Sequence, residues 1–126
     1  MSQLKNKSDI NGIGAELLHK NALYPSVIHC AYYSCLQYMK HLLLNQGIKE
    51  DEFGGNGEGT HAFIINKMYK HLNSVDAKRS KEVNTKIGQL KKLRVNSDYS
   101  LLPITITESQ NSMTLSKEIL SQLKKT

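Results

Sequence analysis

The residues whose types and spacing best suit chemistry stand together near position 94. Val83, Ile87 and Leu90 form an apolar stripe with helical spacing. Taking Val83 as zero and about 100° per residue, Ile87 lies near +40°, Leu90 near −20° and Arg94 near +20°. Arg94 therefore falls in the middle of an apolar face. Asp98 follows near +60°, one turn on, in reach of an ion pair. A guanidinium aimed at a core is costly unless it is paired or faces a wet cleft. Two readings stand. In one, Arg94 and Asp98 clamp the end of a helix to the segment after it. In the other, Arg94 is presented in a groove, where its planar fork of donors suits phosphate. Tyr99 has two readings as well: a residue closing the core with its hydroxyl at the surface, or a hydroxyl beside Arg94 in the same groove. Asn96 lies between them as a further polar candidate. His61, on another segment, joins the site only if its helix start faces that groove; otherwise it packs locally.

Other patterns fall short of known chemistry. The histidines at 19, 29, 41, 61 and 71 show no HExxH or other ligand spacing, so no metal site is expected. Gly54, Gly59 and Thr60 come close to a phosphate-cradling loop, but no lysine follows the second glycine and no strand precedes it. Gly12-Ile13-Gly14 lacks the third glycine of a dinucleotide fingerprint. No serine–histidine–acid order is recognisable, and nothing calls for a cofactor. Lys78, Arg79, Lys81, Lys86, Lys91 and Lys92 form a basic cluster, either a nucleic-acid footprint or a solvated helix face.

The bulk properties set the frame. The 126 residues suit one domain spanning 1–126, large enough for a core without disulfides. Aromatic residues make up only 6% and tryptophan is absent, which suits a helical bundle better than a β-sandwich. A net charge of +6 favours a polyanionic partner without requiring one. Cys30 and Cys35, the two cysteines, would lie about 140° apart on a shared helix and could not pair. Residues 1–7 lack the apolar core of a signal peptide, and apolar runs such as Leu42 to Leu44 are far too short to span a bilayer. A cytoplasmic protein without a membrane partner is expected.

The elements that must position these residues are helices. A first helix is expected over 8–20, with Ile10, Ile13, Leu17 and Leu18 at helical spacing and Ser8 or Asp9 as N-cap. Residues 21–25 break it, and Pro25 suits the first turn of the next helix. That second helix carries Ile28, Ala31, Tyr32, Cys35, Leu36, Met39, Leu42 and Leu43 through about five turns and stops at Gly47. Residues 47–59 read as a mobile loop. Thr60 would cap a third helix with Phe63, Ile64, Ile65, Met68, Tyr69 and Leu72 on its apolar side. A connection over 73–79, a fourth helix over 80–97, an extended connector over 101–107 and a last helix over 108–124 complete an all-α, up-and-down bundle of four to five helices.

Three stretches together resemble one family. Ala31-Tyr32-Tyr33-Ser34-Cys35-Leu36 resembles the AYYxxF/L core helix of small bacterial HEPN proteins. Thr60-His61-Ala62-Phe63-Ile64-Ile65 is similar to their third helix, which commonly opens with Ser/Thr-His. Leu93-Arg94-Val95-Asn96-Ser97-Asp98-Tyr99 resembles their LRxxADY signature. The resemblance implies a bundle that forms a homodimer and is associated with RNA or nucleotide. It implies service in a bacterial toxin–antitoxin or defence system, often beside a minimal nucleotidyltransferase. In ribonuclease members an arginine, four to six residues and a histidine form the active motif. Arg94 matches the arginine, but Tyr99 stands at the histidine position. Histidine titrates near neutrality and can move a proton to or from the 2′-hydroxyl chemistry. Tyrosine, with an ordinary pKa near 10, is a poor base at neutral pH. The retained half of the motif is the phosphate-binding half; a metal-independent ribonuclease would need Tyr99 or His61 in the proton-transfer role, and a non-enzymatic bundle serving a partner protein would keep Arg94–Asp98 as a structural pair.

Overall fold

The computed structural model describes residues 3–54 and 58–125. Among them are five α-helices and no strand: α1 (Gln3–Lys20), α2 (Tyr24–Asn45), α3 (Glu58–Val75), α4 (Ala77–Tyr99) and α5 (Ile106–Leu123). A single 3-10 turn, Glu50–Phe53, precedes α3. The chain is an all-α bundle. Each of α1/α2, α2/α3, α3/α4 and α4/α5 packs on its neighbour in sequence, and α2 also touches α4 and α5.

The central place of α2 follows from its sequence. Pro25 occupies its first turn, where the missing N–H costs nothing. Val27, Ile28, Ala31, Tyr32, Cys35, Leu36, Met39 and Leu43 are all buried, a stripe wide enough to meet neighbours on several sides. Burying each large side chain contributes about 1.5–3 kcal/mol, so this helix supplies much of the core. Gly47, at φ 100°, takes the left-handed conformation that ends the segment.

α1 departs from expectation. Ile10, Ile13 and Leu17 do not face the core; they are 64%, 62% and 55% exposed. The buried residues are Ser8 and Ala15, with Gly12 half-buried beside them. The small face lets the α1 and α2 backbones approach closely. Ser8 Oγ donates to the Ser34 carbonyl at 2.6 Å, and Ser34 Oγ donates back to the Ser8 carbonyl at 2.8 Å. These reciprocal bonds satisfy both buried hydroxyls. Helical period alone marked the apolar face, and here the small face was the one buried.

Several boundaries also differ. α1 begins at Gln3, so Ser8 and Asp9 lie inside it instead of capping it. α3 begins at Glu58, so Thr60 sits inside its first turn instead of capping it. The connection expected over 73–79 shrinks to Asp76, whose side chain accepts from the Arg79 N–H at 3.2 Å and starts α4 at once. The loop over 47–59 is partly ordered as the 3-10 turn, which buries Phe53 against Phe63; residues 55–57 of it lie outside the described residues. α5 opens with a capping box, Thr105 and Glu108 each bonding the other's backbone N–H.

Candidate functional site

The start of α3, the end of α4 and the middle of α2 meet at one cluster of polar side chains. Arg94 turns inward, as its position on the stripe requires, and exposes only 12% of its side chain. Its Nε lies 3.4 Å from Asp98 Oδ2, one turn on, while Asp98 remains about a third exposed. The guanidinium carbon sits 5.3 Å from the ring centre of Tyr32 and 5.9 Å from that of Tyr33. Two electron-rich ring faces and one carboxylate thus offset the loss of hydration at this cation.

The same tyrosines hold His61, which is 6% exposed. Tyr32 Oη is 3.3 Å from His61 Nδ1, and Tyr33 Oη is 3.4 Å from His61 Nε2. A neutral imidazole accepts from one hydroxyl and donates to the other, whereas an imidazolium donates to both. Either protonation state is satisfied by this pair. His29 packs on the far reach of Tyr33 with ring centres 4.6 Å apart.

Tyr33 and His61 also line a groove of about 280 Å³ between α1, α2 and α3, together with Leu4, Gln37, Lys40 and Thr60. Arg94 meets this groove through Tyr33 and is not among its lining side chains. Lys40 Nζ pairs with Glu50 at 2.7 Å and lies 5.0 Å from the Phe53 ring centre. Gln37 Oε1 accepts from Asn11 Nδ2 at 2.7 Å. The groove therefore brings a cation, an amide, a hydroxyl and the Tyr33 ring to one concavity, with the buried His61 imidazole in its wall.

Of the residues singled out by sequence, Arg94, Asp98 and His61 gather around Tyr32 and Tyr33. Tyr99 and Asn96 do not. Tyr99 follows Arg94 by five residues, about 140° around the helix, and is 78% exposed. It neither closes the core nor enters the Arg94 cluster. Asn96 lines a separate groove between α4 and α5. The sequence places Tyr32 on the core stripe of α2 and gives Tyr33 no role, although the two rings connect Arg94 to His61. The available signal was their adjacency: two neighbouring aromatics on a helix cannot both point into the same core.

The basic cluster on α4 is not a uniform face. Lys86 pairs with Glu82 at 2.9 Å and Glu118 at 3.5 Å, and the Glu82 hydrogen bond holds its pKa above the ordinary lysine value. Lys78, Lys81 and Lys92 are exposed, whereas Arg79 is half-buried. His19 Nδ1 and Ser109 Oγ lie 2.9 Å apart, but Ser109 is fully buried and closed to substrate. Among the described residues no group of three or more His, Cys, Asp or Glu side chains is placed to hold a metal ion. No helix among them is long and apolar enough to cross a membrane.

No protein-family model matches the chain, and neither the curated proteins nor the solved structures contain a match to it.

Proposed function

We propose that this chain is a HEPN-type helical protein that binds the phosphate groups of RNA or of a nucleotide at the Arg94 cluster. The observation that carries the reading is the inward Arg94 guanidinium, held by Asp98 and seated over Tyr32 and Tyr33. A preoriented guanidinium in partly desolvated surroundings makes stronger charge-assisted hydrogen bonds to phosphate than a solvated one. Asp98 fixes its orientation. Tyr33, half-buried on the wall of the adjoining groove, supplies the ring on which a base can stack. Asn96 and Tyr99 are left outside this arrangement. The wider setting follows from the resemblance: a homodimer in a bacterial toxin–antitoxin or defence system, with a minimal nucleotidyltransferase as its protein partner.

The test is binding of a short single-stranded RNA, followed by fluorescence anisotropy at two salt concentrations. Arg94→Ala lowers affinity at least tenfold while the helical circular dichroism spectrum is retained. Arg94→Lys keeps the charge but loses the fork and falls between. Unchanged binding in Arg94→Ala overturns the reading.

A second reading has one specific observation in its favour. His61 lies on the groove wall with both ring nitrogens tied to tyrosine hydroxyls. In an altered, metal-independent ribonuclease His61 would take the 2′-hydroxyl proton as the 2′-oxygen bonds to phosphorus. The bond from phosphorus to the 5′-oxygen would break with water protonating that oxygen, and Arg94 would stabilise the phosphorane charge. This reading requires RNA cleavage in EDTA that is lost in His61→Gln. Intact RNA between pH 6 and 9 retires it.

A further inference from the structure

One long face of α4 turns away from the Arg94 cluster. With Val83 again at zero, Lys78, Lys81, Thr85, Gln89, Lys92 and Asn96 fall between about 160° and 240° around the helix. Tyr99 closes the line near 160°, whereas Arg94, near +20°, points the opposite way. The whole line is exposed and runs about 30 Å along the helix. No acid lies in it. Its three lysines form no ion pair among the described residues. Glu82 borders the line and is occupied by Lys86 at 2.9 Å and by the Gln122 amide at 3.2 Å.

The face is recessed as well as basic. Two adjoining concavities of about 400 and 460 Å³ follow the line and share Gln89. α5 walls the larger one with Asn111 and Thr114, opposite Gln89, Lys92 and Asn96. Three amides and a hydroxyl thus stand beside a lysine, with half-buried Leu93 and Leu115 completing the furrow.

We infer that this furrow is a second contact surface for single-stranded RNA, with Lys78, Lys81 and Lys92 tracking phosphates and Tyr99 stacking on an unpaired base at the far end. Charge selects a polyanion. Three uncompensated lysines, equal to half of the net charge of +6, stand on one line without an acid among them. Shape selects a single strand. A furrow between two helices admits one strand and excludes a duplex, and Tyr99, 78% exposed, offers its ring to a base without a pairing partner. The amides select ribose, because Gln89, Asn96 and Asn111 can each donate to and accept from a 2′-hydroxyl, which DNA lacks.

This surface rests on the RNA reading above for its ligand and shares no residue with the Arg94 cluster, so the two can fail separately. The probe is a fluorescein-labelled oligo(U) of about twelve nucleotides, followed by anisotropy from about 50 to 200 mM salt. Lys81→Ala/Lys92→Ala keeps the circular dichroism spectrum and lowers affinity about tenfold at the lower salt. It also reduces the slope of log affinity against log salt by about 2. Lys20→Ala/Lys70→Ala removes the same charge from α1 and α3, at exposed positions, and leaves the slope unchanged. Equal losses in the two double variants reduce the effect to net charge and overturn the inference. Tyr99→Ala lowers affinity at least about fivefold and Tyr99→Phe keeps it; an equal loss in both removes the stacking. A duplex or an oligo(dT) of the same length that binds as tightly overturns the assignment to single-stranded RNA. Polyglutamate that displaces the oligo(U) at equal charge concentration gives the line to an acidic protein and overturns it too. Arg94→Ala on the same probe separates the surfaces. Affinity lost there alone overturns the furrow, and affinity lost at the lysines alone overturns the Arg94 reading and leaves the furrow standing.

Discussion

Arg94 and Tyr32 are stacked across the α4–α2 interface, with the guanidinium carbon 5.3 Å from the ring centre, and Tyr32 itself is fully buried. The relationship ties a polar site to the core. The ring that anchors the cation also presents its hydroxyl to His61, so the end of α4 and the start of α3 are linked through one side chain of α2. An arginine in such a place contributes to stability and to anion affinity together, and the two contributions need separate measurements.

Arg94→Ala should cost about 1–2 kcal/mol in urea unfolding, from the lost ring contacts and ion pair. The larger penalty of about 3–5 kcal/mol applies when a buried partner is stranded. Asp98 is about a third exposed and regains water instead. Asp98→Asn should cost less than Arg94→Ala. A loss above about 3 kcal/mol would favour a purely structural clamp.

The two cysteines should differ in reactivity. Burial pushes the Cys35 thiol up to about 12, only partly opposed by the hydrogen bond with the Ser116 hydroxyl at 3.4 Å. Cys30 is half-buried and raised less, by desolvation alone. At pH 8 a thiol reagent should modify Cys30 slowly and leave Cys35 untouched until the protein unfolds. Equal rates for the two would contradict the packing of α2 against α5.

Stability should fall in acid, in two ranges. His41 is lowered from 6.5, first by desolvation and then by the charge of Lys5. Its unfolded form binds a proton first, so its contribution is present above about 6.5 and is lost as the pH falls through the lower folded value. Glu16 and Glu82 are held below 4.5, chiefly by hydrogen bonds from Lys117 and Lys86. Their contributions are present above about 4.5 and disappear at lower pH. The Glu16–Lys117 pair is well exposed and the Glu82–Lys86 pair half-buried, so added salt should shrink the Glu16 contribution more than that of Glu82. Thermal melts of wild type and His41→Gln between pH 7.5 and 5.5 isolate the first range. Parallel curves for the two proteins would remove His41 from the account.

The bundle was legible in the sequence wherever burial and period agreed. α2 and the Val83–Ile87–Leu90–Arg94 stripe are the plainest cases, because large apolar residues at helical spacing have one good place to go. α1 was legible as a helix but not in its orientation. Its tight contact with α2 depends on Ser8, Gly12 and Ala15, and small residues leave little trace in a pattern of hydrophobicity. The inward turn of Arg94 and its pairing with Asp98 followed from angles along a single helix. The meeting of Arg94, Tyr32, Tyr33 and His61 did not, since it depends on how three helices cross. Tyr99 shows the limit of motif order: its place in the chain suggested a site, and five residues of rotation put it on another face.

The chain has two arginines, Arg79 and Arg94, so their side-chain Nε–Hε signals can be assigned with one Arg79→Lys variant. Titrating the ¹⁵N-labelled protein with a short single-stranded RNA tests the account at its centre. The Arg94 signal should move progressively to saturation while that of Arg79 stays nearly still. RNA that binds without moving the Arg94 signal would contradict the account.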